Sequence, residues 1–394
     1  MPSAPTLPLP HTSPAAARLQ SIDALRGLVI LFMLLDHVRE TFFLHHQVGD
    51  PMAVATTSPD LFASRLLAHV CAPVFVFLTG LSACLYGARQ GGGRALASVF
   101  LLQRGLFLVA LELTLVNFAW TFQWPPTVVY LQVIWVIGLS MLALAALLWL
   151  PRNVLIALGV VLVAGHNLLD GLHFPVGHAL HIPWAVLHDR GWIEVSDSLR
   201  LRTSYPLLPW IGVIALGYAA GPWFQASADA QGRQRRLLAW GAGLLVGFAV
   251  LRAWNGYGDK PWVPGETALA TAMSFFNVTK YPPSLLFVAL TLGIGLLVLR
   301  AFERLPAGSG GLRVLAVFGA APMFFYLLHL YVLKALYLGA LAAWGPNQGR
   351  YFGFDAMWGV WLCTLVLAAA LYPAVKAFGA FKARRRDIAW LKYL

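Results

Sequence analysis

Apolar runs about as long as a membrane is thick alternate along this chain with short polar segments. They fall near 21–43, 65–88, 105–122, 128–150, 153–170, 206–225, 237–253, 282–301, 313–343 and 356–380. A run of about 20 apolar residues crosses the hydrocarbon core as a helix, so the pattern predicts an all-α, polytopic transmembrane bundle of about ten spans. Lys and Arg concentrate in the connections that such spans place on the side of the N-terminus, among them Arg89, Arg94, Arg104, Arg233, Arg235, Arg236, Arg300, Arg304 and Arg313. That bias predicts both termini in the cytosol. Residues 1–20, rich in Pro, Ala, Ser and Thr, read as a disordered cytosolic tail and 21–380 as the membrane domain. Residues 381–394 read as a basic cytosolic tail, whose Lys382-Ala383-Arg384-Arg385-Arg386 run suits anionic lipids. The ninth window is broken by Gly319 and Pro322, and its spanning helix is expected to begin at Pro322.

Composition agrees with this picture. Of 394 residues, 59% are hydrophobic and 11% charged, whereas a soluble domain is about 45–50% apolar and about 25% charged. The net charge of +12 sits in short loops. It is explained by membrane orientation, and no nucleic-acid partner is expected. Cys71, Cys84 and Cys363 lie in apolar segments without pairing or metal spacing and read as packing residues. The longest connections, 44–64, 171–204 and 254–281, carry His45, His46, His173, His178, His181 and His188. Long ordered loops are where substrate sites usually lie. These histidines are too widely spaced for a zinc site, and no metal is expected.

Ionisable residues inside the windows carry the candidate chemistry, because each is expensive in hydrocarbon. Arg26 and His37 lie eleven residues apart in the first window. On a helix that is about 20° from a common azimuth and about 16 Å along the axis. Arg26 suits a phosphate or pyrophosphate group, or else pairs with Asp23 and reaches the headgroups. His37 suits a general base, or else an interfacial histidine. Its neighbour Asp36 points about 100° away on a helix, whereas Glu40 and Thr41 share the His37 face and are the expected orienting groups. His329, about 10 Å inside the Pro322 helix, is either catalytic or a satisfied core histidine. Glu112 is the one Glu deep in the third window, paired with Arg26 or another buried cation, or else protonated and structural. Lys334 is expected to snorkel or pair. Lys280 and Tyr281 stand before Pro282-Pro283 and suit an anionic group and a sugar or oxyanion, or a cap and an interfacial tyrosine. Arg65 and His69 stand at the start of the second window, facing His37 across the bundle on this topology.

The Arg26-x10-His37 spacing resembles the signature of integral-membrane acyltransferases that modify surface polysaccharides. The chain is similar to the heparan-alpha-glucosaminide N-acetyltransferase catalytic-domain family, in its bacterial branch. The likeness continues in order through Ala72-Pro73-Val74-Phe75-Val76-Phe77-Leu78-Thr79-Gly80, Tyr205-Pro206-Leu207-Leu208-Pro209-Trp210, Asn277-Val278-Thr279-Lys280-Tyr281-Pro282-Pro283-Ser284 and Pro322-Met323-Phe324-Phe325-Tyr326-Leu327-Leu328-His329. The resemblance implies transfer of an acetyl group from cytosolic acetyl-CoA to a sugar hydroxyl or amine at the outer face. Arg26 would then contact the cofactor, and His37, Asp36 and His329 would serve the chemistry. Lys280, Tyr281, Arg65, His45 and His46 would bind the acceptor. By rough spacing His45 or His46 matches a loop histidine considered an acetyl carrier in the animal lysosomal branch. Transfer is therefore either direct or through an acetyl-histidine on His37, His45 or His46. The expected partners are a glycan acceptor and membrane lipids, with a homodimer compatible. The Arg-rich, Ala/Leu-rich composition points to a bacterial cytoplasmic membrane. The competing class is a transporter or flippase for an envelope-glycan precursor, although the sequence shows no inverted repeat.

Overall fold

The computed structural model describes residues 14–306, 308–385 and 387–393. Its helices are α1 (Pro14–Phe42), α2 (Pro59–His69), α3 (Cys71–Arg89), α4 (Gly93–Leu111), α5 (Asn117–Thr121), α6 (Val133–Leu147), α7 (Arg152–Gly165), α8 (His181–Leu187), α9 (Leu208–Ala220), α10 (Ala230–Trp254), α11 (Ala268–Phe276), α12 (Leu285–Arg304), α13 (Gly310–Ala320), α14 (Pro322–Trp344) and α15 (Met357–Arg384). Among the described residues, seven helical segments are long and apolar enough to cross a membrane. These are Pro59–Arg89, Gly93–Thr121, Arg152–Leu169, Ala230–Trp254, Leu285–Arg304, Pro322–Trp344 and Met357–Arg384. Val133–Leu147, Leu208–Phe224 and Gly310–Ala320 are apolar but shorter. The apolar run of α1 is interrupted by Asp23, Arg26, Asp36, Arg39 and Glu40, charges that its packing explains.

Residues 1–13 of the expected N-terminal tail and Arg386 of the basic run lie outside the described residues. Helix α1 begins at Pro14, within the stretch assigned to the tail from composition. At the other terminus Tyr393 donates to Gln103 Oε1 at 2.7 Å, holding the chain end against α4.

The all-α expectation needs one correction. A three-stranded sheet of β1 (Val128–Leu131), β2 (Trp192–Ser196) and β3 (Leu199–Thr203) lies within the long connections. Its order is β1-β3-β2, with β1 parallel and β2 antiparallel to β3. The β2–β3 hairpin has a local signal, the alternation of Leu199, Leu201 and Thr203 with Arg200 and Arg202 about an Asp197-Ser198 turn. The parallel partner comes from far along the chain and has none.

Helix α1 is surrounded, touching α2, α3, α12, α13, α14 and α15. Its closest neighbour is α13, where the backbones meet at Gly27 and Gly319. A Cβ on Gly319 would strike the carbonyl oxygen of Asp23, and one on Gly27 that of Leu315. With little hydrophobic drive between helices in lipid, such close backbone contact is what holds a pair together. Gly319→Ala should therefore lower the thermal unfolding midpoint in detergent, since overpacking costs about 1–3 kcal/mol. Gly311→Ala, where a Cβ meets open space, should leave it unchanged or raised. Equal midpoints for both variants would refute the close-contact account. The same crossing separates α13 from α14, which does begin at Pro322.

Candidate functional site

The C-terminal third of α1 meets α14 at two histidines. His37 Nδ1 lies 2.7 Å from His329 Nε2, and His329 Nδ1 lies 2.7 Å from the carbonyl oxygen of Phe325. A carbonyl only accepts, so His329 Nδ1 carries the proton donated there and its Nε2 is the acceptor in a neutral ring. His37 Nδ1 must then be the donor. The consequence is a His37 ring whose Nε2 bears a free lone pair. Both histidines are buried, at 8% and 0% exposure. The rings of Trp120 and Tyr326 stand edge-on to His37, with centroids 5.1 and 5.9 Å away.

The orienting partner is thus 292 residues distant in sequence, and the expected ones do other work. Thr41 Oγ1 donates to the His37 carbonyl at 2.7 Å, and Glu40 accepts from Arg39 at 3.0 Å. Asp36 does not touch the imidazole either. Its carboxylate accepts from Arg39 Nε and Nη2 at 3.0 and 2.9 Å and from Arg65 Nη1 at 3.0 and 2.8 Å, with Lys280 Nζ 4.0 Å away. Arg65 reaches on to Asp50 at 2.7 Å, and His69 Nε2 stands 3.5 Å from the same carboxylate. Burial works against ionisation of Asp50, but Arg65 and His69 outweigh it and hold this loop carboxyl well below its ordinary value. The charges on α1 therefore form a buried lattice that ties α1 to α2, the 43–58 loop and Lys280. A partnered lattice of this kind is what lets a helix with so many ionisable residues remain buried.

Two cavities meet at His37. The larger, about 760 Å³, opens around the C-terminal end of α1 and is lined by Trp120, Tyr130, Arg190, Trp192, Arg202, Tyr281 and Lys334 among others. The smaller, about 100 Å³, runs back towards the N-terminal half of α1 between Ile30, Cys71, Thr79, Met141 and Tyr326, and reaches Arg104. Asp36, His37, Val133 and Tyr205 line both. Tyr281 donates to the Tyr205 hydroxyl at 3.1 Å and carries the Arg190 guanidinium 4.4 Å above its ring.

The sequence-derived candidates divide on this map. His37, Asp36, Arg65 and Tyr281 line the larger cavity, and Lys280 the smaller. His329 stands behind His37. His45 and His46 are not among the lining residues. The turn after α1 puts Leu44 and Gln47 at the cavity instead, while the two histidine rings pack at tilted angles against each other and against Phe43. Arg26 pairs with Asp23 at 2.7 Å and donates to Ser82, and lines neither cavity. The charge at that end of the smaller cavity is Arg104, whose Nε is buried without a hydrogen bond. Arg26 and Lys382 lie close enough to Arg104 to act on it electrostatically. Glu112 does not pair with Arg26. It accepts from the Trp135 backbone N–H at 3.0 Å and caps α6, where the helix dipole favours a carboxylate. Lys334 donates to the Trp120 carbonyl at 3.1 Å.

Sequence reasoning missed Trp120, Tyr326 and Arg104 as site residues. The Trp120 Nε1–H and the Tyr326 hydroxyl, close enough to sense each other, are both buried without a well-formed hydrogen bond. Donors that meet only each other, and loosely, beside a histidine with a free lone pair are unusual enough to need an explanation.

None of the curated proteins compared matches the chain. Residues 18–248 match the family described as heparan-alpha-glucosaminide N-acetyltransferase, catalytic. That stretch carries Arg26, Asp36, His37, Arg65, Arg104, Trp120 and Tyr205, and stops short of Lys280, Tyr281 and His329. A match over more than half of a helical membrane protein, centred on the elements that build the two cavities, means that the chain belongs to the heparan-alpha-glucosaminide N-acetyltransferase catalytic family.

Proposed function

We propose that the protein is a membrane acyltransferase that takes acetyl from acetyl-CoA at the N-terminal end of α1 and delivers it to a sugar hydroxyl or amine at the other end. The observation that carries this reading is the junction of the two cavities at His37, whose Nε2 is free. A thioester entering through the narrow cavity and an acceptor seated in the wide one would meet there, which is the proximity that acyl transfer needs. The narrow cavity suits a thin, mostly apolar pantetheine arm. The Arg104, Arg26 and Lys382 charges near its far end suit phosphate oxygens. The wide cavity has aromatic walls and the cations Arg190, Arg202 and Lys334, which suit a sugar ring with attached anionic groups.

In the step itself, His37 Nε2 would take the proton of the acceptor hydroxyl or amine as its oxygen or nitrogen attacks the thioester carbonyl carbon. The Trp120 N–H and Tyr326 O–H would stabilise the oxyanion of the tetrahedral intermediate. Collapse expels the CoA thiolate, and the proton held on His37 returns to it. The same lone pair also permits an acetyl-histidine on His37. The Lys and Arg bias of the connections on the side of the N-terminus favours a cytosolic N-terminus, hence a cytosolic donor and an outward-facing acceptor, in a bacterial cytoplasmic membrane on its composition.

The test is binding of labelled acetyl-CoA to the purified, detergent-solubilised protein. Arg104→Ala should weaken binding by about 10–100-fold, as expected for loss of hydrogen bonds between charged groups. His37→Ala should leave it unchanged. No specific binding by folded protein would sink acetyl-CoA as the donor, and uptake of a glycan precursor into liposomes without acyl-CoA turnover would favour transport.

A further inference from the structure

Behind the wall of the wide cavity, at the end of α7, a second cluster of titratable groups stands apart from His37. We propose that His166, Asp170 and His188 bind a divalent transition-metal ion, zinc by the chemistry of the donors, which fastens the segment carrying Arg190 to the membrane helices. One ligand atom from each of the three lies within 4.8 Å of the others. His188 Nε2 and Asp170 Oδ1 are 3.4 Å apart, about the edge of a tetrahedron with zinc bonds of about 2.0–2.1 Å. His166 is 3% exposed, and neither ring nitrogen makes a well-formed hydrogen bond, although one approaches the Pro283 backbone. With one nitrogen turned to that backbone, the other is left as a buried acceptor without a partner, which is costly unless something is bound there.

The surroundings are those of a metal site. His188 Nδ1 faces Asp189 Oδ1 at 3.2 Å, and the other Asp189 oxygen lies 2.9 Å from His173 Nδ1. A carboxylate on the far nitrogen fixes the ring of a metal-ligating histidine and raises its basicity. Asn167 Nδ2 donates to Asp170 Oδ2 at 2.9 Å, leaving Oδ1 for the ion. Trp184 stacks on His188, with centroids 5.0 Å apart and planes 16° apart. His188 Nε2 also lies 3.1 Å from the His166 carbonyl oxygen. Three side-chain ligands leave one position for water, reached past the half-exposed Asp170.

The expectation of no metal followed from the spacing of the outer-loop histidines. His166 escaped it because it belongs to the apolar window 153–170 and not to the loop. His166 opens the 3-10 turn His166–Leu169 at the end of that window and Asp170 follows it, and the chain returns eighteen residues later with His188. The residue after Asp189 is Arg190, stacked on Tyr281 in the wide cavity. The ion would thus act on the acceptor side of the protein by holding a loop. Its presence does not depend on which reaction takes place at His37.

Without metal the cluster has a different resting state. Burial disfavours a charged His188, but Asp170 and Asp189 outweigh it and hold the imidazolium above its ordinary range. The two states are distinguishable. The full-length protein, purified without a metal-affinity step and stripped with chelator, would be titrated with Co²⁺ and followed by visible d–d absorption. Native zinc content would be read by plasma mass spectrometry. We expect about one equivalent of zinc per chain and a Co²⁺ band that zinc displaces. Affinity should fall by about 10–100-fold in Asp189→Asn, and the band should vanish in His166→Ala. If His166→Ala does not fold, Asp170→Asn, at a half-exposed position, should still lose the band. Absence of both zinc and a cobalt band in folded protein would overturn the proposal in favour of the imidazolium. A band that survives His166→Ala and Asp170→Asn would overturn this ligand set.

Discussion

His37→Ala should reduce acyl transfer by about 10²–10⁴-fold, the range spanned by a positioned general base, and leave acetyl-CoA binding intact. Because the Phe325 carbonyl only accepts, His329 Nδ1 is protonated, its Nε2 accepts, and His37 must donate through Nδ1. The lone pair on His37 Nε2 is therefore imposed by α14. His329→Ala should then lower turnover as well, although His329 never touches substrate, because His37 is left free to adopt the other tautomer. His329→Gln, whose side-chain oxygen can accept from His37 Nδ1, should recover part of the loss. A purely structural role for His329 would give no such rescue. His45→Ala and His46→Ala should be indistinguishable from the parent protein, since neither residue lines the cavity. Full turnover in His37→Ala would remove it from the mechanism, and loss of turnover in His45→Ala would return the carrier role to the loop.

Much of the scaffold was readable in the sequence because hydrophobic windows report helices directly. The start of α14 at Pro322 follows from the favoured first-turn position of proline. His37 stands out as an ionisable group placed where a span should be apolar, and in the structure it lies where the two cavities meet. What could not be read was everything set by contacts between distant segments. The partner of His37 is 292 residues away, so the nearby Glu40 and Thr41 attracted the role of orienting it. Arg104 precedes the third apolar window and looks like a loop charge. Helix α4 extends upstream to Gly93 and carries it into the smaller cavity. Asp36 is adjacent to His37 and invites a catalytic role, whereas four hydrogen bonds from Arg39 and Arg65 commit it to holding α1 in place. The sheet was hidden for a similar reason, since β1 and β3 are separated by α6 through α8.

The second large effect should come from the two donors beside His37. Trp120→Phe removes the indole N–H and keeps an aromatic ring against the imidazole. Tyr326→Phe removes only the hydroxyl. The two groups make only a loose contact with each other in the resting protein, so deleting either should cost the fold little stability. This separates a catalytic loss from a structural one. If the two groups hold the oxyanion, each substitution should lower kcat by about 10²–10³-fold, with KM for acetyl-CoA little changed, because the charge they meet exists only in the transition state. Since both would act on a single oxygen, the double variant should lose less than the product of the single losses. Variants that keep kcat but raise KM would show that Trp120 and Tyr326 merely shape the junction. The oxyanion would then have to be met by another donor lining the smaller cavity, such as the Tyr205 hydroxyl or Lys280, whose ammonium is held 4.0 Å from Asp36.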